Sequence, residues 1–265
     1  TRLMRMRLAP AVPRDDWREV MAEEMALHAM ELDWIESERV RVAPIADRAP
    51  RDAARFSKWF DDLDLDGPGQ HDPLWSWVAN EATLSQLRWL LRQYLHGDGG
   101  TEDLLALVQA RLPDVPKQAL ARGYVEELGR APLFDRLAED LALCAMPDDL
   151  VWEGRAIANL ACGLAANRCY TYQAIGAIAV TALTSARRDR ALNTALERLG
   201  CSATTRAYFT APRTPWHTEA VVATIAERTE IAPFVAEGAL LQLEAGARAY
   251  ARFRDEAATV HARAA

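Results

Sequence analysis

The stretch Val151–Ser185 reads VWEGRAIANLACGLAANRCYTYQAIGAIAVTALTS and contains no proline. Ala, Leu, Ile and Val recur on more than one face of nearly every turn, and a helix that is apolar all round is a buried helix. A single helix over these residues would be about 50 Å long, enough to run through the middle of a domain with other helices wrapped about it. Glu153, Arg155, Asn159, Asn167, Arg168 and Gln173 interrupt every window of about twenty residues, so the stretch does not read as a membrane span. The expectation is an all-α bundle around a long central helix, with any chemistry where neighbouring helices face it.

The bulk composition fits that core. Half of the 265 residues are apolar, enough for one large helical domain. A formal charge of −7 and the lack of any basic run argue against nucleic acid or an anionic membrane as partner. Lysine occurs only at Lys58 and Lys117, arginine carries the other positive charges and alanine is abundant, a composition expected of a GC-rich bacterial genome. Cys144, Cys162, Cys169 and Cys201 show neither CxxC spacing nor the density of a disulfide scaffold. Cys162 and Cys169 lie two turns apart on the proposed core helix and are expected to act as small apolar residues. The N-terminus shows no signal-peptide pattern, so a cytoplasmic setting with free thiols is expected.

Taken in order, the chain opens with a basic arm ending in APAVP, followed by a helix from Asp15 or Asp16. That helix carries Trp17, Met21, Met25, His28, Leu32 and Ile35 at core-facing spacing. Glu24 and His28 stand one turn apart, ligand spacing if buried, but a core-edge histidine is the simpler reading. Pro44–Pro50 forms a break, and a short helix carries Phe56, Trp59 and Phe60 before an acidic loop over residues 61–69. Pro73 opens the next helix, and Thr83 with Gln86 forms a T-x-x-Q capping box for SQLRWLLRQYLHG. Thr101 starts another helix, stopped by Pro113. Pro116 leads into KQALARGYVEELG, which is expected to end at Gly129. After the central helix come RRDRALNTALERLG, the unusual TAPRTPWHTE and a final amphipathic helix from about Ile231 to Arg254. Residues 1–70 are expected to form an arm and helices packed on a bundle of residues 71–256, with 257–265 as a tail.

Four segments in this order resemble the heme-oxygenase-like superfamily of iron-containing redox enzymes. They are NEATLSQLRWLLRQYLHGDGGTEDLLALVQARLP, ARGYVEELGR, AANRCYTYQAIGAIAVTALTS with the helix ending ERLG, and YFTAPRTPWHTEA. The resemblance covers roughly residues 72–252 and implies a heme-oxygenase-like bundle whose intact members are diiron oxidases and oxygenases. It implies a glutamate in the D/E-E-x-G motif, a histidine soon after, a glutamate on the core helix and a His-x-x-x-Asp-x-x-His cluster. Carboxylates bridging two ferrous ions, with imidazoles completing the coordination, make chemical sense of that set. Here Glu127 matches the first glutamate and His217 the last histidine. The histidine after Gly129 is absent, the core-helix glutamate aligns with Ala182, and residues 212–215 supply neither the other histidine nor the aspartate. Two protein ligands cannot hold a dinuclear centre. No metal ligand set is therefore assigned, no cofactor is expected, and iron would require substitute ligands such as Glu219, Glu126 or His96.

Within the cavity that the resemblance implies, Glu127 and His217 are the candidate catalytic residues, as proton-transfer groups. The plainer reading pairs Glu127 with Arg122 or Arg130 and leaves His217 at a helix start. Tyr94, His96, Arg122, Tyr124, Arg168 and Tyr172 are candidate substrate-binding residues. His96-Gly97 falls where the family also has His-Gly, although a helix C-cap explains it as well. Arg168, in the middle of a buried helix, would need an anionic partner, either a protein carboxylate or a substrate carboxylate or phosphate.

Three functions follow. One is a metal-independent enzyme acting on a small amino-acid-derived or carboxylate metabolite in specialised, natural-product metabolism. Branches resembling thiaminase II and a cofactor-forming quinone synthase work without iron and set the precedent. The second is a non-catalytic pseudoenzyme, a partner of an intact diiron relative or a binding protein. The third is an iron-dependent oxidase with substitute ligands. The expected partners are a small-molecule substrate and, compatible with the fold, a second copy of the chain or an intact relative; neither nucleic acid nor membrane is expected.

Overall fold

The structure is a computed structural model that describes residues 17–98, 101–143 and 151–264, with side chains described except at 17–20, 94–98 and 258–264. Eleven α-helices follow one another, and no strand occurs among the described residues. They are α1 (Trp17–Ala46), α2 (Ala53–Asp66), α3 (Leu74–Asn80), α4 (Leu84–Asp98), α5 (Thr101–Gln109) and α6 (Asp114–Asp140). After these come α7 (Trp152–Ala166), α8 (Thr171–Arg198), the single turn α9 (Ala207–Thr210), α10 (Trp216–Glu227) and α11 (Ala232–Ala264).

The apolar stretch that organises the sequence is two helices, not one. Asn167 adopts an extended conformation (ψ 123°), a short 3-10 turn covers Arg168–Tyr170, and α8 then runs on through RRDRALNTALERL. The open carbonyls at the end of α7 are met by side chains. Asn167 Nδ2 donates to Gly163 O (2.7 Å), and the Arg111 guanidinium donates to Ala165 O (2.6 Å) and Ala166 O (3.0 Å). A helix end so capped is a stable stop. The break moves two expected core residues outward: Arg168 and Cys169 are exposed, whereas Cys162 stays buried. Arg168 therefore needs no buried anion, and the premise of that expectation is corrected.

Two expected breaks are absent for a shared reason. Helix α1 continues through Pro44, and α6 continues through both Gly129 and Pro132. Each proline withholds a bond from the carbonyl four residues earlier, on Val40 and Leu128, which are 75% and 50% exposed. Water can take those bonds, so the usual penalty for an interior proline is reduced. The capping box forms as expected, with Gln86 Oε1 accepting from Thr83 N (2.9 Å) and Thr83 Oγ1 from Gln86 N (3.3 Å). Helix α2 extends to Asp66, shortening the expected acidic loop, and α11 continues to Ala264.

Helices α8 and α11 form the centre of the bundle. They approach closely where Gly176 lies against the backbone of Val235 and Ala239, and Gly238 against the backbone of Gln173. Any side chain at either glycine would collide with main chain, so these two positions set the spacing of the central pair. One apolar cluster joins Ile35 and Val42 of α1, Phe56 and Phe60 of α2, Ile175 of α8 and Val235 of α11. A second gathers Leu74 and Val78 of α3, Leu87 and Leu90 of α4, Leu192 of α8 and Phe253 of α11. The expected core stripe of α1 is only partly buried: Ile35 is fully covered, but Met21 and Met25 are exposed, and the side chain of Trp17 lies outside the described residues. No helix among the described residues is long and apolar enough to cross a membrane.

Candidate functional site: a cavity beside a buried guanidinium cluster

Where the two apolar clusters meet, the bundle encloses a partly open cavity of about 110 Å³. A buried water needs roughly 10–15 Å³ on this measure, so the space suits on the order of eight waters or one small organic molecule. Helix α8 lines it with Ile178, Thr181, Ala182, Ser185 and Arg188, and α11 faces it with Gln242, Leu243, Gly246, Tyr250 and Phe253. Both sets recur every three to four residues, the spacing that puts side chains on one face of a helix.

The charged wall comes from α6, the second half of α8 and the non-helical segment between α9 and α10. Arg213 Nε and Nη2 donate to Asp189 Oδ2 at 3.2 and 2.8 Å, and Nη1 reaches Glu127 Oε1 at 3.5 Å. Arg130 lies 3.8 Å from Glu127 and 3.9 Å from Asp189, and Arg188 Nε donates to Asp189 Oδ1 at 3.2 Å. The Arg130 guanidinium also donates to Tyr208 O (3.0 Å) and sits 4.4 Å above the Tyr208 ring, which favours a cation. Arg130, Arg188 and Asp189 are all at most 9% exposed. Three guanidiniums and two carboxylates thus meet beside the cavity. Two Arg130 nitrogens, Nε and Nη1, have no hydrogen-bond partner among the described residues. A buried guanidinium with unfilled donors is costly unless an acceptor completes it.

Adjacent residues of α6 and the 211–215 segment pair in register. Glu127 meets Arg213, while Glu126 Oε2 accepts from Thr214 N (2.8 Å) and Thr214 Oγ1 (2.6 Å). The prolines of this segment keep it out of helix. Trp216, the first residue of α10, then fills the space beside Gly123, where an added Cβ would come within 2.6 Å of the indole.

The residues singled out in the sequence divide sharply. Glu127 and Ala182, aligned with two family ligand positions, both line the cavity. His217 does not line it, because Trp216 takes the cavity side and the next residue on a helix points about 100° away. Its Nδ1 is buried without a hydrogen-bond partner among the described residues. Burial pushes its pKa below the ordinary value; Asp61, Glu126 and Glu219 work against that, and Arg213 adds to it. Arg122 is exposed and ion-paired with Glu219. Tyr124 and Tyr172 are partly buried against the apolar core, outside the cavity lining. The side chains of Tyr94 and His96 lie outside the described residues. The Glu24 and His28 pair is only partly buried, and His28 stands 3.6 Å from Glu31.

Sequence reading missed Arg188, Asp189 and Arg213 as site residues. Arg188 and Asp189 sit in RRDR, which looks like a solvated helix face, and only the path of α8 through the core reveals them as buried. Arg213 had a signal, an arginine between two prolines inside the segment aligned with lost ligands.

A helical bundle around a central cavity defines the class of protein, and the heme-oxygenase-like fold accounts for it. The sequence profile of the iron-containing redox enzyme family matches residues 88–250, and the chain belongs to that family. A search of curated proteins finds no match. The family's iron can be tested against the donors present. Glu127 is the only acid lining the cavity among the described residues, and two arginines engage it. Glu126 is taken by Thr214 and Glu219 by Arg122. Among the described residues no group of three or more His, Cys, Asp and Glu side chains is arranged to hold a metal ion. The described donor set does not fit a dinuclear iron centre.

Proposed function

We propose that this chain is a metal-independent member of its family, an enzyme that binds and transforms a small amino-acid-derived or carboxylate metabolite of specialised metabolism in the bundle cavity. One observation carries the reading: Glu127, aligned with a family iron ligand, is engaged by Arg213 and Arg130 in a cluster of three guanidiniums beside the cavity. Guanidiniums recognise carboxylates through paired hydrogen bonds. Arg213 and Arg188, which line the cavity, take the carboxylate-holding role that the sequence alone suggested for Arg122 or Arg168. Glu127 is the described acid that can exchange a proton with a bound molecule, and the guanidiniums orient its carboxylate. His217 supports this indirectly, on the outer side of Trp216.

Two measurements test the reading. Elemental analysis of protein from iron-supplemented cells, with anaerobic ferrous titration, should find iron well below stoichiometric; a stoichiometric, tightly held metal overturns it. Calorimetry with short carboxylates should show binding that Arg213→Gln weakens by about tenfold or more, the size of one charge-assisted contact. A binding protein without turnover is the second reading, favoured by the double engagement of Glu127. Once a substrate is found, Glu127→Gln separates the two: turnover that survives it excludes the catalytic role of Glu127.

A further inference from the structure

The α11 wall of the cavity carries an unusual group. Gln242 of α11 is 6% exposed and lines the cavity, and its Oε1 is buried without a hydrogen-bond partner among the described residues. Its Nε2 likewise has no partner among the described residues. A primary amide so enclosed normally has its donors and acceptor satisfied by protein or ordered water. The α8 hydroxyls lining the same cavity are already committed as donors: Thr181 to Ala177 O (2.9 Å), Thr184 to Val180 O (2.9 Å) and Ser185 to Ala182 O (2.7 Å). Gln242 is therefore the group on the α11 wall that offers an acceptor and a donor side by side, and that wall contributes no charge to the lining.

We propose that Gln242 recognises a neutral amide-type group of the ligand, one presenting N–H next to C=O, as a carboxamide, lactam or ureido group does. Two parallel hydrogen bonds then form between the amides, whichever way the Gln242 amide is turned. The inference rests on the anionic-ligand reading above and sharpens it: the ligand carries a carboxylate toward Arg188 and Arg213 and an uncharged amide toward α11, with apolar contacts to Ile157, Ile178 and Leu243 between them. Selectivity arises by rejection. A ligand with a methyl in place of the amide nitrogen brings no donor to Gln242 Oε1 and leaves that buried acceptor unpaired, as the amide does not.

The test uses the full chain and titration calorimetry with succinamate, glutaramate and adipamate, each compared with the keto acid in which a methyl replaces the terminal amino group. At the best-fitting length, the amide should bind about tenfold more tightly than its keto twin, the cost of leaving one enclosed polar group unpaired. Gln242→Met, close in length and apolar, should erase that preference by weakening the amide alone, and an unchanged melting temperature would show that the fold is intact. Equal affinity of the twins at every length, or a preference that survives Gln242→Met, overturns the inference while leaving the anionic-ligand reading in place. Binding that keeps the amide preference but ignores Arg213→Gln overturns the anion reading and leaves the amide subsite standing. No binding by any compound overturns both.

Discussion

The molecule buries two clusters of arginine and carboxylate, and they differ in what surrounds them. In the first, Arg130, Arg188 and Arg213 share Glu127 and Asp189 beside a cavity, with two Arg130 nitrogens lacking hydrogen-bond partners among the described residues. In the second, Arg39 of α1 pairs with the buried Glu237 of α11 and with Glu36, Tyr170 donates to Glu36, and Gln173 Nε2 reaches Glu237 at 3.4 Å. None of these second residues lines the cavity. The pairing in the second cluster ties α1 to the α8 and α11 core. The first stands at a cavity whose lining includes Glu127, Arg188 and Arg213, which is how a binding surface differs from a structural brace.

Breaking each cluster at one arginine should expose that difference. Arg39→Met leaves Glu237 buried beside an apolar side chain, and unpairing a buried charge costs about 3–5 kcal/mol. For a chain of this size that is a fall of roughly 10 °C in melting temperature, with carboxylate affinity unchanged well below the transition. Arg213→Gln should behave oppositely. Arg130 and Arg188 remain to balance Glu127 and Asp189, so the loss should be about 1 kcal/mol or less, while carboxylate binding fails. Calorimetric melting beside ligand titration checks both. A large destabilisation from Arg213→Gln would make the cavity cluster a brace like the other and remove the distinction.

How far the sequence revealed this arrangement depends on which interactions decide each feature. Helical periodicity and the capping box at Thr83 and Gln86 are local, so the all-α class and several helix starts were legible. The break at Asn167 was not, because it depends on Arg111, more than fifty residues away, meeting the carbonyls of Ala165 and Ala166. Pro44 misled because the cost of an interior proline depends on whether the orphaned carbonyl faces water. In the site, the resemblance drew attention to Glu127 and Ala182, which line the cavity, whereas the arginines that give the cavity its character come from three separate elements. Their juxtaposition is a property of packing, and RRDR alone looks like an exposed helix face.

The two regions also leave opposite marks on the pH dependence of stability. Beside the cavity cluster, burial holds the His217 pKa below its ordinary value of about 6.5. The neutral form is the one the fold favours, so its contribution is complete above about pH 6.5 and is lost as pH falls below that value. Denaturant melts from pH 7 to 5 should show a decline in the wild type that is shallower in His217→Asn. Parallel curves would mean that His217 is solvated in the folded protein.

In the brace, the smallest effect lies at the alkaline end. Burial, and then the hydrogen bond to Glu36, push the Tyr170 pKa up to about 12. The folded state holds this proton more tightly than the unfolded chain, in which tyrosine titrates near 10. Its stabilisation is therefore complete below about pH 10 and is lost as pH rises toward the folded value. Tyr170→Phe removes the donor to Glu36, whose own pKa is lowered chiefly by that bond, and should cost about 1 kcal/mol near pH 8. Between pH 10 and 12 the gap between wild type and variant should close, because the wild type gives up the contribution that the variant already lacks. A gap that stays constant across that range would show that the phenol is not held in its protonated form by the fold.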